Sequence, residues 1–193
     1  MSLTIEFAPD GPRRCGGCTL CCKLLPVREL HKVAGERCKH QRTGKGCAAY
    51  KHLAQVSPSC VVWNCRWLVN QAGATSRPDR VHYVIDIMPD FIEGVDNQTG
   101  ERFQYDVVQI WVDPSHPDAH RDPALRDWLE HEKLLALVRY GSRKAFLLCP
   151  PSRSDSKQWV EKDGNVSTSA ELHEKIISAG TSADVIGTSA IDR

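Results

Sequence analysis

Apolar positions are spread unevenly along this chain, and their spacing changes near residue 80. Val81-His82-Tyr83-Val84-Ile85-Asp86-Ile87-Met88 is β-branched and aromatic, the texture of a half-buried strand. Phe91 to Val95 predicts a second strand, Asp96 to Gly100 a turn, and the loose alternation from Arg102 to Val112 a third strand ending at Asp113-Pro114. Two or three antiparallel strands are expected from this region. Asp122-Pro123 then offers an N-cap and a proline at the first helical position. The helix should run from Ala124 to about Leu137, with Leu125, Trp128, Leu129 and Leu135 in its apolar stripe. Gly141 interrupts, and Lys144 to Cys149 reads as a last buried strand. Trp159-Val160 and Val166 suit a small hairpin turning at Asp163-Gly164-Asn165, and Ser169 to Ile177 suits a closing helix.

Before residue 70 the texture differs. Leu20, Leu24, Leu25, Val27, Leu30, Leu53 and Val56 are most of the large aliphatic residues there, and Pro12, Pro26, Gly35, Gly44, Gly46 and Pro58 break up any long element. So small an apolar set needs a staple to order the segment. The expected organisation is a cysteine-cluster module at residues 10–70 and a small α+β portion at 78–178, packed together as one unit. A flexible Ser/Thr/Ala/Gly-rich tail follows at 179–193. The fold class expected is α+β: a metal-stapled, cysteine-rich N-terminal module on a small antiparallel sheet with one main helix.

The nature of the staple comes from composition. Nine cysteines occur in 193 residues, and eight of them (Cys15, Cys18, Cys21, Cys22, Cys38, Cys47, Cys60 and Cys65) precede residue 66. No apolar run is long enough to span a bilayer, and the first residues lack the basic and apolar regions of a signal peptide. A cytoplasmic setting with reduced thiols is therefore expected, and metal ligation rather than a disulfide framework. Two sets of four thiolates match zinc or an iron–sulfur cube. Adjacent Cys21 and Cys22 diverge by about 100° on a helix, so they serve different ions or only one is a ligand. Charge agrees: residues 1–70 carry 11 basic and 4 acidic side chains, and residues 71–193 carry 14 and 20. The basic half suits thiolate counter-charge; without a Lys/Arg run or interleaved aromatics it does not suit nucleic acid. Cys149, inside an apolar run, reads as a core thiol.

The segment Cys15-Gly16-Gly17-Cys18-Thr19-Leu20-Cys21-Cys22-Lys23-Leu24-Leu25-Pro26-Val27 resembles the opening of the CxxCxxCC cysteine-cluster family, the YkgJ-type zinc- or iron-chelating proteins. Gly46-Cys47-Ala48-Ala49-Tyr50 is similar to the family's Gly-Cys-x-x-Tyr, and Pro58 to Leu68 resembles its closing Cys-x-x-Phe-x-Cys segment. Ser57 stands where the family usually has Arg, and Trp63 where it has Phe. The resemblance covers about residues 13–68 and implies a metal site without a defined reaction. Zinc and an iron–sulfur cluster are equally compatible with it.

Other candidates are weaker. His40, two residues after Cys38, could replace one sulfur; His116 and His120 are four apart, but Pro114 and Pro117 oppose the helix that would align them. Trp63 and Trp67 should cover the metal site. No recognised catalytic motif is present. The expectation is a soluble metal-binding protein, its zinc or iron–sulfur centre structural or redox-poised. The alternatives are an iron–sulfur enzyme or accessory factor, and a metal-delivery protein that meets a protein partner through its acidic half. No membrane association is expected.

Overall fold

The computed structural model describes residues 13–95, 99–142 and 144–163, and the backbone of residues 187–188. Helix and strand are both present, in a small antiparallel sheet and a larger mixed one. Gln41–Arg42 (β1) and Gly46–Cys47 (β2) form the small sheet. The larger one contains Tyr83–Ile85 (β3), Asp90–Val95 (β4), Arg102–Val112 (β5), Leu135–Tyr140 (β6), Lys144–Cys149 (β7), Val160–Asp163 (β8) and Gly187–Thr188 (β9). Its order is β8-β7-β6-β5-β4-β9, and β3 also pairs with β5. Strand β5 is long enough to serve two partners along one edge: β4 along residues 102–107 and β3 along residues 110–112. The helices are Leu20–Leu24 (α1), Leu53–Val56 (α2), Pro58–Val62 (α3), Pro78–Val81 (α4) and Pro123–His131 (α5). Among the described residues no helix is long and apolar enough to cross a membrane.

The strand period of two assigns the sheet's faces. Tyr83, Ile85, Val108, Ile110, Val112, Ala136, Val138, Phe146 and Leu148 turn one way and pack against Leu125, Trp128 and Leu129 of α5. Each fully buried leucine there contributes about 1.5–3 kcal/mol. Val84 and Trp111, alternating with those residues and paired across β3 and β5, join Leu20, Leu24 and Leu25 in a second cluster. A third cluster gathers Ile92, Val107, Leu135, Leu137, Ala145 and Cys149. The cysteine-rich segment thus sits on its own apolar platform on the sheet. Cys149 is a buried core thiol, as its apolar run predicts.

Three local expectations change. Strands β5 and β6 run parallel, because α5 carries the chain back to the same end of the sheet. The helix also stops at His131, so Leu135 belongs to β6. The stop is a Schellman motif: Leu134 N–H donates to Leu129 O, Lys133 N–H donates to Glu130 O, and Lys133 takes φ +54°. That position usually announces itself as glycine. Lys133→Gly should accordingly stabilise the protein by about 0.5–1 kcal/mol in urea denaturation, and an unchanged or lower midpoint would contradict the strain. Finally, Asp122 occupies the N-cap of α5, but its carboxylate accepts from Tyr83 Oη at 2.6 Å and makes no cap bond.

Val160–Asp163, the first arm of the expected hairpin, forms β8 and pairs antiparallel with β7, while Gly164 and Asn165 of its turn lie outside the described residues. Val166, the helix expected at Ser169–Ile177, residues 96–98 of the predicted turn, and residues 179–186 and 189–193 of the tail lie outside the described residues. Glu161 of β8 accepts from Arg121 at 3.2 Å and pairs with Arg126 at 3.4 Å and His120 Nε2 at 3.2 Å. The Arg121 guanidinium, opposed by burial and aided by His120, holds Glu161 below the usual carboxylate range. A depressed folded value gives stability that is present above the unfolded carboxyl pKa, about 4.3, and lost as pH falls through the folded one. Glu161→Gln should cost about 0.5–1 kcal/mol at pH 7 and nothing once both forms are acid-protonated, a convergence that pH-dependent unfolding would show.

Candidate metal centre

The cysteine-rich segment is held by turns and by the sheet edge. Cys15-Gly16-Gly17-Cys18 closes with Cys18 N–H on Cys15 O at 2.9 Å. A Cβ at Gly17 would lie 2.5 Å from Gly44 O, so the β1–β2 hairpin can approach this turn only over a glycine. Arg13 Nη1 donates to Trp67 O at 2.8 Å, and its guanidinium lies 5.2 Å from the Trp67 ring centroid. This ties the turn to the segment that carries Cys65. Cys65 in turn bridges to Asp86 beyond β3, and Arg66 N–H donates to Ile85 O.

Two groups of four cysteines emerge. Cys18 is part of the apolar cluster of Leu20, Leu24, Val84 and Trp111, and Cys21 and Cys65 pack against that cluster. Loss of solvent first, then the charges of Cys18, Cys65 and Cys22, push the Cys15 thiol up to about 11, although the residue as a whole is exposed. Burial also raises Cys65, with Cys18 adding to it. Cys15, Cys18, Cys21 and Cys65 therefore share one neighbourhood.

The second group forms around Cys22. Cys38 N–H donates to Cys22 O at 2.9 Å, and His40 N–H donates to Cys38 Sγ at 3.4 Å. The hairpin register brings Cys47 opposite Gln41, which itself bonds Cys38 O through its N–H. Burial is the main cause that raises both Cys47 and Cys60, and both also feel the charges of Cys22 and Cys38. Ser57 Oγ donates to Cys60 Sγ at 3.2 Å.

Cys21 and Cys22 join the groups. The Cys21 thiol donates to the Cys22 sulfur, which lowers Cys22 to about 7 against the opposing effect of burial and raises Cys21. Helix α1 begins at Leu20, so Cys18 lies in the preceding turn, and the two adjacent cysteines fall into different groups. Lys23 of α1 leaves the cysteines and forms an ion pair with Asp113 at 2.6 Å.

Lys32 also belongs to the Cys22 neighbourhood. It is 7% exposed. Its ammonium donates to Leu25 O, and the charges of Cys38, Cys22 and Cys21 oppose the lowering that burial imposes on it. In sequence it is one basic residue among many; only its burial distinguishes it. Trp63 packs against the apolar cluster that contains Cys18 and donates from Nε1 to Asp86 Oδ1 at 2.9 Å, whereas Trp67 packs against the sheet's main cluster instead. Asp86 belongs to a buried polar stripe with Asp90, Gln109 and Arg139, which the sequence also did not announce. Gln109 Nε2 donates to Asp90 Oδ2 at 2.6 Å, and the Arg139 guanidinium stands 5.3 Å from the Trp111 ring centroid.

The cysteine sulfurs are near neighbours without being drawn together: among the described residues no three lie within 4.8 Å of one another. The ligand-type atoms of His82, Asp113 and His116 do meet that distance. His120 is used elsewhere, with Nδ1 at 2.9 Å from Pro117 O, so the His116–His120 pair is not a joint site. His40 contributes its backbone N–H. The donor chemistry of both cysteine groups, four soft sulfurs with a buried cation beside one, fits zinc or an iron–sulfur cluster. In comparisons with known proteins the chain matches no family model, no curated protein and no solved structure.

Proposed function

We propose that this chain is a metal-binding cysteine-cluster protein of the CxxCxxCC type, its eight clustered cysteines acting as two four-thiolate sets. Cys15, Cys18, Cys21 and Cys65 make one set; Cys22, Cys38, Cys47 and Cys60 make the other. The observation that carries this reading is the gathering of the eight cysteines into two neighbourhoods, with a buried lysine near the second. Thiols that burial keeps protonated become stable thiolates only beside a cation, and a bound metal supplies that charge. Bound zinc would cross-link the segment; a bound iron–sulfur cluster would add one-electron chemistry.

The iron–sulfur form would carry with it a role in electron transfer or as an accessory factor in protein modification, and four-sulfur donor sets suit a cube as well as tetrahedral zinc. Inorganic sulfide in the purified protein would establish this form, and its absence alongside bound zinc would exclude it.

The grouping is tested by Cys65→Ser, Cys60→Ser and the double variant. Each single variant should lose the metal of its own set, about half the total, and the double variant nearly all of it. Unchanged metal content in all three would refute the sets. Lys32→Met should weaken metal retention about 10–100-fold, measured by chelator competition, as loss of an outer-shell partner does.

A further inference from the structure

We infer that His82, Asp113 and His116 form a second, sulfur-free site for a divalent transition-metal ion at the end of strands β3 and β5. Asp113 and His116 share one turn, and backbone geometry joins them to His82, which is remote in sequence. The register Tyr83↔Val112 sets His82 opposite Asp113, and Asp113 N–H donates to His82 O at 2.9 Å. His116 N–H then donates to Asp113 O at 2.8 Å, folding the chain back over His82. The two imidazoles stack with centroids 3.5 Å apart and planes 1° from parallel. One ligand-type atom from each of the three residues lies within 4.8 Å of the other two.

The backbone and the carboxylate are fixed before any ion arrives, whereas the two stacked rings, whose nitrogen lone pairs lie in parallel planes, must rotate out of the stack to converge on one ion. His82 holds φ +62° as the C-cap of α4, and Ser115 N–H donates to Asp113 Oδ1 at 3.0 Å, which fixes the carboxylate's direction. Asp113 is buried, His82 half-buried and His116 exposed, so the site is anchored on one side and open on the other. Both histidines line a surface cavity of about 550 Å³ together with Arg80 and Arg121. Two imidazoles and a carboxylate are borderline-to-hard donors, suited to zinc, cobalt, nickel or ferrous iron, and three protein ligands leave positions for water or an anion from the cavity.

Lys23 now takes the place of a cation, donating to Asp113 Oδ1 at 2.7 Å and Oδ2 at 2.6 Å. The carboxylate has lone pairs to spare, but an entering divalent ion competes with the ammonium. Because Lys23 follows Cys22 on α1, this competition links the histidine site to the cysteine centre. None of its three ligands is a cysteine, so the site can be tested whatever the cysteines hold.

The test is a Co²⁺ titration of the protein as purified, with its cysteine centre undisturbed, followed by absorption and by the imidazole NMR signals of His82 and His116. One equivalent should bind without thiolate-to-cobalt charge-transfer absorption and broaden both histidines. His116→Ala, at an exposed position, should weaken that binding at least tenfold, and Lys23→Met should strengthen it. Equal binding by wild type and His116→Ala, or binding seen only through thiolate absorption, would overturn the assignment.

Discussion

Stripping the metal with a strong chelator at neutral pH should melt residues 13–68 while the larger sheet and α5 stay folded. The asymmetry follows from where apolar burial lies. The sheet has two clusters of its own, built by β3 to β8, α5 and Ala72, against which Trp67 of the cysteine segment also packs. Among the described residues the segment's cluster is that of Leu20, Leu24 and Leu25 with Cys18, Trp63 and the borrowed Val84 and Trp111, and its α-helices are four or five residues long. Helices this short are not stable alone. A structural metal contributes about 10 kcal/mol or more to such a module, so its removal is decisive there and secondary elsewhere. Hydrogen exchange read by mass spectrometry should show protection lost at Cys38 N–H and Gln41 N–H and kept in β5 and β6. Retention of full protection across the segment after chelation would contradict a metal staple.

Arg139→Ala should be among the most destabilising single substitutions in the sheet, costing about 3–5 kcal/mol. Arg139 is 5% exposed, in the middle of the mixed sheet. Burial lowers its pKa, and Asp90 and Asp86 oppose that lowering. Asp90 is itself raised by burial, against the pull of Gln109 and Arg139. Removing the guanidinium takes away the cation shared by two buried carboxylates, of which Asp86 keeps the attraction of Arg66, and exposes the face of Trp111. Asp90→Asn in the same chain should recover part of the loss, because it removes one stranded charge. Equal stability of the single and double variants in urea denaturation would show that the charges are not coupled.

The two halves differed in how far they could be read from sequence. The β-branched run at Tyr83–Ile85, the strand at Arg102–Val112 and the apolar Lys144–Cys149 carry the strand period, and Asp122-Pro123 marks where α5 starts. Where α5 stops was hidden, since Lys133 does the work of a C-terminal glycine and Leu135 satisfies a helical and a strand pattern equally. The parallel β5–β6 pairing is a tertiary outcome that no local pattern encodes. In the candidate centre, cysteine spacing picked out the eight proposed ligands and the angular divergence of Cys21 and Cys22. It could not announce Lys32, whose significance is its burial, or the His82–Asp113–His116 group, which exists only once β3 and β5 are in register.

The most direct test of the metal-centre proposal is metal and acid-labile sulfide content per chain in anaerobically purified protein. The expected result is about two zinc ions per chain, or iron with matching sulfide, for two four-thiolate sets. A folded chain carrying neither zinc nor iron, with all eight clustered thiols freely titratable, would contradict it.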